Sequence, residues 1–214
     1  MKKRDIAKAL LSIQAVFLRP EDPFTWASGI KSPIYCDNRL TLTAPKVRTL
    51  IEEALVEVIN EFYPNVEVLM GTSTAGIPHA AIVGHLMDLP AGYVRGGKKD
   101  HGRSNQIEGK LSEGEKVVVI EDLISTASSC CETVETLRKA GADVLGVASI
   151  FTYGMKKGLE NLAAHNIENH SLSDLDTLVE VAVDTGYIKP DDKNRILSFR
   201  ENPADTGWMK QEVQ

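Results

Sequence analysis

Residues 116–129, KVVVIEDLISTASS, decide how the rest of the chain is read. Val117, Val118, Val119 and Ile120 form a short apolar run, every member β-branched, which predicts a strand buried on both faces of a parallel sheet. The run stops at two acids, Glu121 and Asp122, and Ser125, Thr126, Ser128 and Ser129 follow before a helical pattern starts near Cys130. In an open α/β sheet, ligands bind in the crevice beyond the carboxyl ends of the strands. Hydroxyls and free backbone N–H groups at the start of a helix accept an anion, so residues 125–129 suit a phosphate. The adjacent carboxylates suit a different partner. They can accept hydrogen bonds from a vicinal diol or help hold a hydrated divalent cation, and a sugar phosphate offers a diol beside its phosphate.

Four apolar residues, two acids and a Ser/Thr-rich loop resemble the motif with which type I phosphoribosyltransferases bind phosphoribosyl pyrophosphate (PRPP). Many Rossmann-like strands also end in acids followed by a Ser or Thr at a helix N-cap, so other parts of the chain must decide.

The 214 residues are ample for one α/β domain with a small addition. Against 30 acidic residues stand 24 basic ones, a net charge of −6. That balance argues against a general binder of nucleic acid or membrane surface and leaves room for a local basic loop. The N-terminus alternates polar and apolar residues at helical spacing rather than as a signal peptide, and no apolar run approaches the roughly 20 residues that span a bilayer. A soluble, cytoplasmic protein with a small-molecule partner is expected. Cys36 and the adjacent Cys130 and Cys131 match no zinc-ligand spacing and read as free thiols of a reducing compartment.

Ile6, Leu10, Ile13 and Phe17 share one face of a helix predicted over residues 3–17. Residues 44–63 predict a long amphipathic helix with Pro45 in its first turn. Residues 66–71 predict the first core strand, and Thr72, Ser73, Thr74 and Gly76 then form a second candidate anion loop ahead of a helix. That loop lacks the spacing of a nucleotide P-loop. His79 and His85 are six residues apart and point to different helix faces, which predicts surface or half-buried histidines rather than a metal pair. Further on, strands are expected over 91–95 and 143–154, a return strand over 107–111, and a helix over 129–140 ending at Gly141. Residues 155–166 and 172–186 read as helices, the second with Ser173 as its N-cap, and Pro190 opens a last short helix. Trp208 is a late docking contact in a polar tail.

Residues 24–39 are too rich in small and polar residues to be core, yet they carry Trp26, Lys31, Tyr35 and Arg39, a mixture that suits a short strand pair over a ligand. Ser28, Gly29, Lys31, Ser32, Pro33 and Tyr35 match in order the Ser-Gly-x-Lys-Ser-Pro-x-Tyr signature of the N-terminal hood of orotate phosphoribosyltransferases. The chain resembles that family over nearly its whole length. A second match follows in residues 95–106, where Arg95, Lys98, Lys99 and His101 cluster positive charge in an otherwise acidic protein, an arrangement suited to closure over a polyanion. Arg95, Lys99 and His101 fit the Arg, Lys and His of that family's flexible catalytic loop, which closes over the neighbouring subunit's site in a dimer.

The resemblance implies an α/β fold of the type I phosphoribosyltransferases, with a mostly parallel sheet flanked by helices. It implies one domain over residues 1–214, with a hood of about residues 1–40 plus C-terminal elements and a core of about 44–170. The implied reaction is the Mg²⁺-dependent transfer of the 5-phosphoribosyl group from PRPP to orotate, giving orotidine 5′-monophosphate and pyrophosphate in pyrimidine biosynthesis. Catalysis falls to Lys99, His101 and Arg95. PRPP falls to the same three with Glu121, Asp122, Leu123, Ile124, Ser125, Thr126, Ala127, Ser128 and Ser129, and orotate to Ser125 and Lys31. Mg²⁺ would be held mainly by substrate, with Asp122 able to reach it through water. The partners implied are these substrates and a second copy of the chain, the 96–106 loop closing across a homodimer, with no nucleic acid and no membrane.

Three departures stand out. Ala127 and Ser128 replace the usual phosphate-loop glycines, where a Cβ could obstruct backbone approach or penalise a positive φ. Gly96 and Ala27 stand where many members carry a Lys, and no Arg in residues 151–158 matches the one that contacts the orotate carboxylate in some members. Two rival readings are a PRPP-sensing regulator, which would need an extended basic face, and a phosphoribosyltransferase for another base, which the hood signature disfavours.

Overall fold

The structure is a computed structural model and describes residues 3–26, 29–97 and 106–209. Helix α1 (Lys3–Ser12) ends early, at the turn where Gln14 takes a φ of 56°. Four short strands follow: β1 (Val16–Leu18), β2 (Phe24–Thr25), β3 (Lys31–Ser32) and β4 (Ile34–Cys36). The outer two pair antiparallel with each other, as do the inner two. Phe17 therefore belongs to a strand, opposite Tyr35, and not to the helix expected over residues 3–17. The helical spacing of apolar residues runs on past Ser12, but residues 16–18 alternate in burial and find backbone partners in β4.

The core elements are α2 (Pro45–Phe62), β5 (Val68–Thr72), α3 (Gly76–Met87), β6 (Ala91–Val94), β7 (Ile107–Glu108), β8 (Lys116–Ile124), α4 (Ser128–Lys139) and β9 (Asp143–Thr152). After them come α5 (Lys156–Ala164), β10 (Asn169–Asp174), α6 (Leu175–Asp184) and α7 (Pro190–Glu201). One six-stranded sheet has the order β10-β9-β8-β5-β6-β7. Its strands are parallel except for β7, which returns antiparallel to β6.

The apolar run of β8 shows why the sheet is central. Val117, Val118, Val119 and Ile120 have no accessible surface, and successive residues serve opposite faces. Val118 and Ile120 belong to the core cluster that includes Ile51 and Leu55 of α2 and Leu178 of α6, whereas Val117 and Val119 belong to the one that includes Val134 and Leu137 of α4. Each such burial is worth roughly 1.5–3 kcal/mol. The order of the strands also sets the site. From β5 the chain moves outward to β6, and from β8 it moves the other way to β9 and β10. The topological switch point lies between β5 and β8, so their carboxyl ends open onto the crevice where such sheets bind ligands.

Three further expectations are corrected. Strand β8 does not stop at the acids but runs through them to Ile124, because β9 is long enough to pair Glu121 with Ser149, Leu123 with Phe151 and Ile124 with Thr152. Backbone pairing outweighs the polarity of two side chains. Residues 169–174 form a strand that the sequence hides: an edge strand needs little apolar signal. The cap of α6 is accordingly Asp174, which accepts from Thr177 N–H at 2.9 Å, while Ser173 is fully buried and donates to the Lys3 carbonyl at 3.0 Å. His79 is neither on the surface nor half-buried. It is enclosed between α2 and α3 with Nδ1 2.7 Å from Glu52 Oε1.

Candidate active site

Two strand–loop–helix connections face the switch point. The first leaves β5 at Thr72, which is buried. A Cβ on Gly71 would lie 2.7 Å from the Gly76 carbonyl oxygen, and one on Gly76 would run into the carbonyl oxygen of Ile120. Helix α3 thus starts pressed against β8, and only glycine fits at the contact. The intervening Ser73–Thr74 peptide is cis. Ser73 N–H donates to the Val94 carbonyl at 3.2 Å, and Ser73 Oγ accepts from Gly96 N–H at 2.7 Å. No side chain caps α3, so the loop's backbone donors stay available to an anion.

The second connection leaves β8 at Ile124. Ala127, at φ 59°, is the N-cap of α4, and again no side chain caps the helix. The positive φ feared for a non-glycine residue here is thus present. Thr126 Oγ1 and Ser128 Oγ are 3.1 Å apart, and Asn161 Nδ2 donates to the Thr126 carbonyl at 2.8 Å. Gly158 of α5 touches the Ser125 carbonyl oxygen so closely that a Cβ would collide with it. These supports come from α5 and hold the loop open toward the crevice.

The acids stand between the loops. Glu121 is buried, and its Oε1 accepts from Asp122 N–H at 3.0 Å. Its Oε2 and the Thr72 hydroxyl are buried without a hydrogen-bond partner. Burial pushes Glu121 well above the usual carboxylate range, and the charge of Asp122 adds to the shift. Asp122 is half-buried, with its carbonyl accepting from Asn38 Nδ2 at 2.6 Å. A buried carboxyl oxygen without a well-formed hydrogen bond, its charge eased only in part by the Thr72 side chain, is a costly arrangement in a resting protein. It is well suited to hydroxyls brought by a ligand.

In the hood, Lys31 Nζ donates to Thr25 Oγ1 at 2.7 Å. Ser32 is buried and spans Pro33, its hydroxyl donating to the Ile34 carbonyl at 2.7 Å and accepting from Ile34 N–H at 3.2 Å. Two of the signature residues therefore stabilise the hairpin itself. Arg39 grips Asp37 with Nε–Oδ1 at 2.6 Å and Nη2–Oδ2 at 2.8 Å, and this hydrogen bonding lowers the Asp37 pKa. Burial pushes the Cys36 thiol up, reinforced by Asp122 and Asp37, so no thiolate nucleophile arises there. All three cysteines are free thiols.

Arg95 sits at the rim. Its N–H donates to the Gln106 carbonyl at 2.8 Å, and its Nε is 2.9 Å from Glu108 Oε1. A small cleft of about 40 Å³ joins Arg95 and Gly96 to Ser73 and to Ser129 of α4. Lys98, Lys99, His101 and Ser28 lie outside the described residues. Leu123 and Ile124 turn their side chains into the two core clusters, so only their backbone faces a ligand. The structure adds Asn38 and Asn161, neither singled out by sequence. Asn38 lies inside the hood segment, but nothing in LENLAAHN marks Asn161.

The acid pair offers hard oxygen donors, and the unpartnered Glu121 Oε2 fits a hydrated divalent ion or a diol. Among the described residues no group of three or more His, Cys, Asp or Glu could hold a metal ion. A magnesium ion at this site would draw most of its ligands from substrate and water.

A switch-point crevice with two uncapped anion loops and an acid pair between them defines a phosphoribosyltransferase, and residues 40–175 match the family described as "Phosphoribosyl transferase domain". Within it, the chain belongs to the orotate phosphoribosyltransferase family. It is 56% identical to the orotate phosphoribosyltransferase of Bacillus cereus (strain G9842) over 207 residues, 97% of this chain and 99% of that one. A crystal structure of orotate phosphoribosyltransferase from Aeropyrum pernix superposes with a TM-score of 0.74 at 31% identity, covering 86% of this chain and 99% of that one. The UMP synthase of Leishmania donovani gives a TM-score of 0.78 at 26% identity over 92% of this chain, which spans only 42% of that longer protein.

Proposed function

We propose that the protein transfers the 5-phosphoribosyl group of PRPP to orotate, yielding orotidine 5′-monophosphate and pyrophosphate, a step of pyrimidine biosynthesis. The observation that carries this reading is the placement of one acid pair between two uncapped anion loops at a single switch point. A ribose with phosphate at one end and pyrophosphate at the other needs that layout. The choice of orotate rests on the full-length likeness to orotate phosphoribosyltransferases.

As the bond from C1′ to pyrophosphate loosens, the ribose takes on oxocarbenium character and negative charge gathers on the leaving group. Residues 125–129 hold the 5′-phosphate, and Glu121 and Asp122 orient the ribose hydroxyls. The loop after β5 offers backbone donors to pyrophosphate. Arg95, Lys99 and His101 supply positive charge there, and closure of residues 96–106 excludes water that would hydrolyse PRPP. Mg²⁺, held by substrate oxygens and reached by Asp122 through water, would neutralise charge on the pyrophosphate. Lys31 and Ser125 face orotate. No side chain needs to act as a nucleophile, since orotate itself attacks.

The working assembly we propose is a homodimer in which each subunit's 96–106 loop completes the other's site, with a hood of about residues 1–40 plus C-terminal elements over a core of about 44–170. The setting we propose is the cytoplasm; no helix among the described residues is long and apolar enough to cross a membrane. The reading is tested by following orotate absorbance with PRPP and Mg²⁺, beside uracil, adenine and hypoxanthine. Orotate-specific turnover that falls by roughly 10²-fold or more in Lys99→Ala is expected, the size of a lost transition-state charge contact. Turnover of another base, or none with orotate, would overturn it.

A further inference from the structure

Tyr153 is the first residue beyond β9 and is buried at 4% exposure, yet no step above uses it. Its backbone N–H donates to the Ile124 carbonyl at 2.9 Å, immediately before the phosphate loop. Its ring stacks on Trp26 with centroids 6.1 Å apart and planes 15° apart. Trp26 in turn governs the hood turn: its N–H donates to the Ile30 carbonyl at 2.9 Å, and its carbonyl accepts from Gly29 N–H at 2.8 Å. Lys31 is the next residue along. Behind Trp26 the stack continues edge-on to Phe199 at 5.5 Å and from Phe199 to Trp208 at 5.6 Å, which anchors it in α7 and the turn Gly207–Met209.

The Tyr153 side chain therefore stacks on the residue that closes the hood turn, while its backbone is bonded to the residue that precedes the phosphate loop. We propose that Tyr153 is a positioning residue for the nucleobase half of the site: it sets the hood turn, and with it Lys31, at a fixed height over the phosphate loop. The inference rests on the orotate reading above. Tyr153 itself is sealed beneath Trp26 and does not meet substrate. Its effect should appear as altered nucleobase recognition, because the 5′-phosphate contacts come from residues 125–129 and do not pass through Trp26.

The test is steady-state kinetics and PRPP calorimetry on full-length wild type, Tyr153→Leu and Tyr153→Phe, with thermal melting of each. Tyr153→Leu removes the ring stack, and Tyr153→Phe keeps it. The expected result is an orotate KM raised about tenfold or more in Tyr153→Leu, a PRPP Kd within about twofold of wild type, and near wild-type behaviour in Tyr153→Phe. If Tyr153→Leu does not fold, Trp26→Leu with Trp26→Phe as its rescue reads the same contact from the other side. A lowered melting temperature with unchanged orotate KM, or equal losses for orotate and PRPP, would overturn the positioning role. Wild type that fails to turn over orotate would instead overturn the substrate assignment on which the inference stands.

Discussion

Residues 72–76 and residues 125–128 each carry the chain from a buried strand into a helix at the switch point, but they obtain their shape from different sources. The first loop is shaped from within. Gly71 and Gly76 let α3 press against the backbone of β5 and β8, and any Cβ would push the helix away. The second loop is shaped from outside. It has no glycine, places Ala127 at φ 59°, and leans on Gly158 and Asn161 of α5. The first loop cannot change without moving the sheet. The second tolerates Ala127 because a neighbouring helix supplies the close approach.

This contrast can be broken deliberately. Gly76→Ala should have the largest effect, since its Cβ meets the Ile120 carbonyl next to Glu121. Overpacking there should cost ~1–3 kcal/mol in denaturant melts, and misplacing the acid pair should lower turnover by about 10²-fold. Gly158→Ala should act on the second loop alone, raising the PRPP KM by about tenfold and, through Ser125, the orotate KM by a smaller factor. Equal effects of the two substitutions on both substrates would remove the distinction between the loops.

Glu121→Gln sharpens the electrostatic side. Burial raises the Glu121 pKa, so over a range of pH above its ordinary value the folded protein keeps a proton that the unfolded chain has released. Stability from this group is therefore lost as pH rises through that window, the reverse of a salt-bridged carboxylate. Glu121→Gln should flatten that decline and melt above wild type near neutral pH, while PRPP binding weakens by about tenfold. A variant that melts below wild type at neutral pH would contradict the assignment. The smallest effect is expected from Ala127→Gly. Relief of a left-handed Cβ, worth ~1–2 kcal/mol, is partly offset by the backbone entropy of glycine, ~0.5–1 kcal/mol. A net gain below about 1 kcal/mol should appear in chemical denaturation.

Much of this arrangement is legible in the chain because the decisive signals are local. Four β-branched residues predict a doubly buried strand, and the hydroxyl-rich segment after them predicts the uncapped helix start. What escapes reading depends on partners distant in sequence. The burial of Glu121 requires β9 to extend to Thr152, the enclosure of His79 requires Glu52, and the role of Asn161 requires the Thr126 carbonyl. Strand β10 escapes because its side chains carry no period-two apolar pattern. The early end of α1 escapes for the opposite reason: helical spacing persists into residues that pair as a strand. Of the expected catalytic side chains only Arg95 falls within the described residues, and there it faces Glu108.

We propose that the strand-end acids and the loop beside them form one ribose phosphate site. Calorimetric titration of PRPP into wild type and Asp122→Asn tests it most directly. Saturable one-site binding is expected in wild type and affinity weaker by at least about tenfold in the variant, the cost of replacing a charged acceptor by a neutral one, with melting temperature unchanged. Equal affinity in the two proteins would show that the acids do not hold the ribose and would contradict the site as drawn.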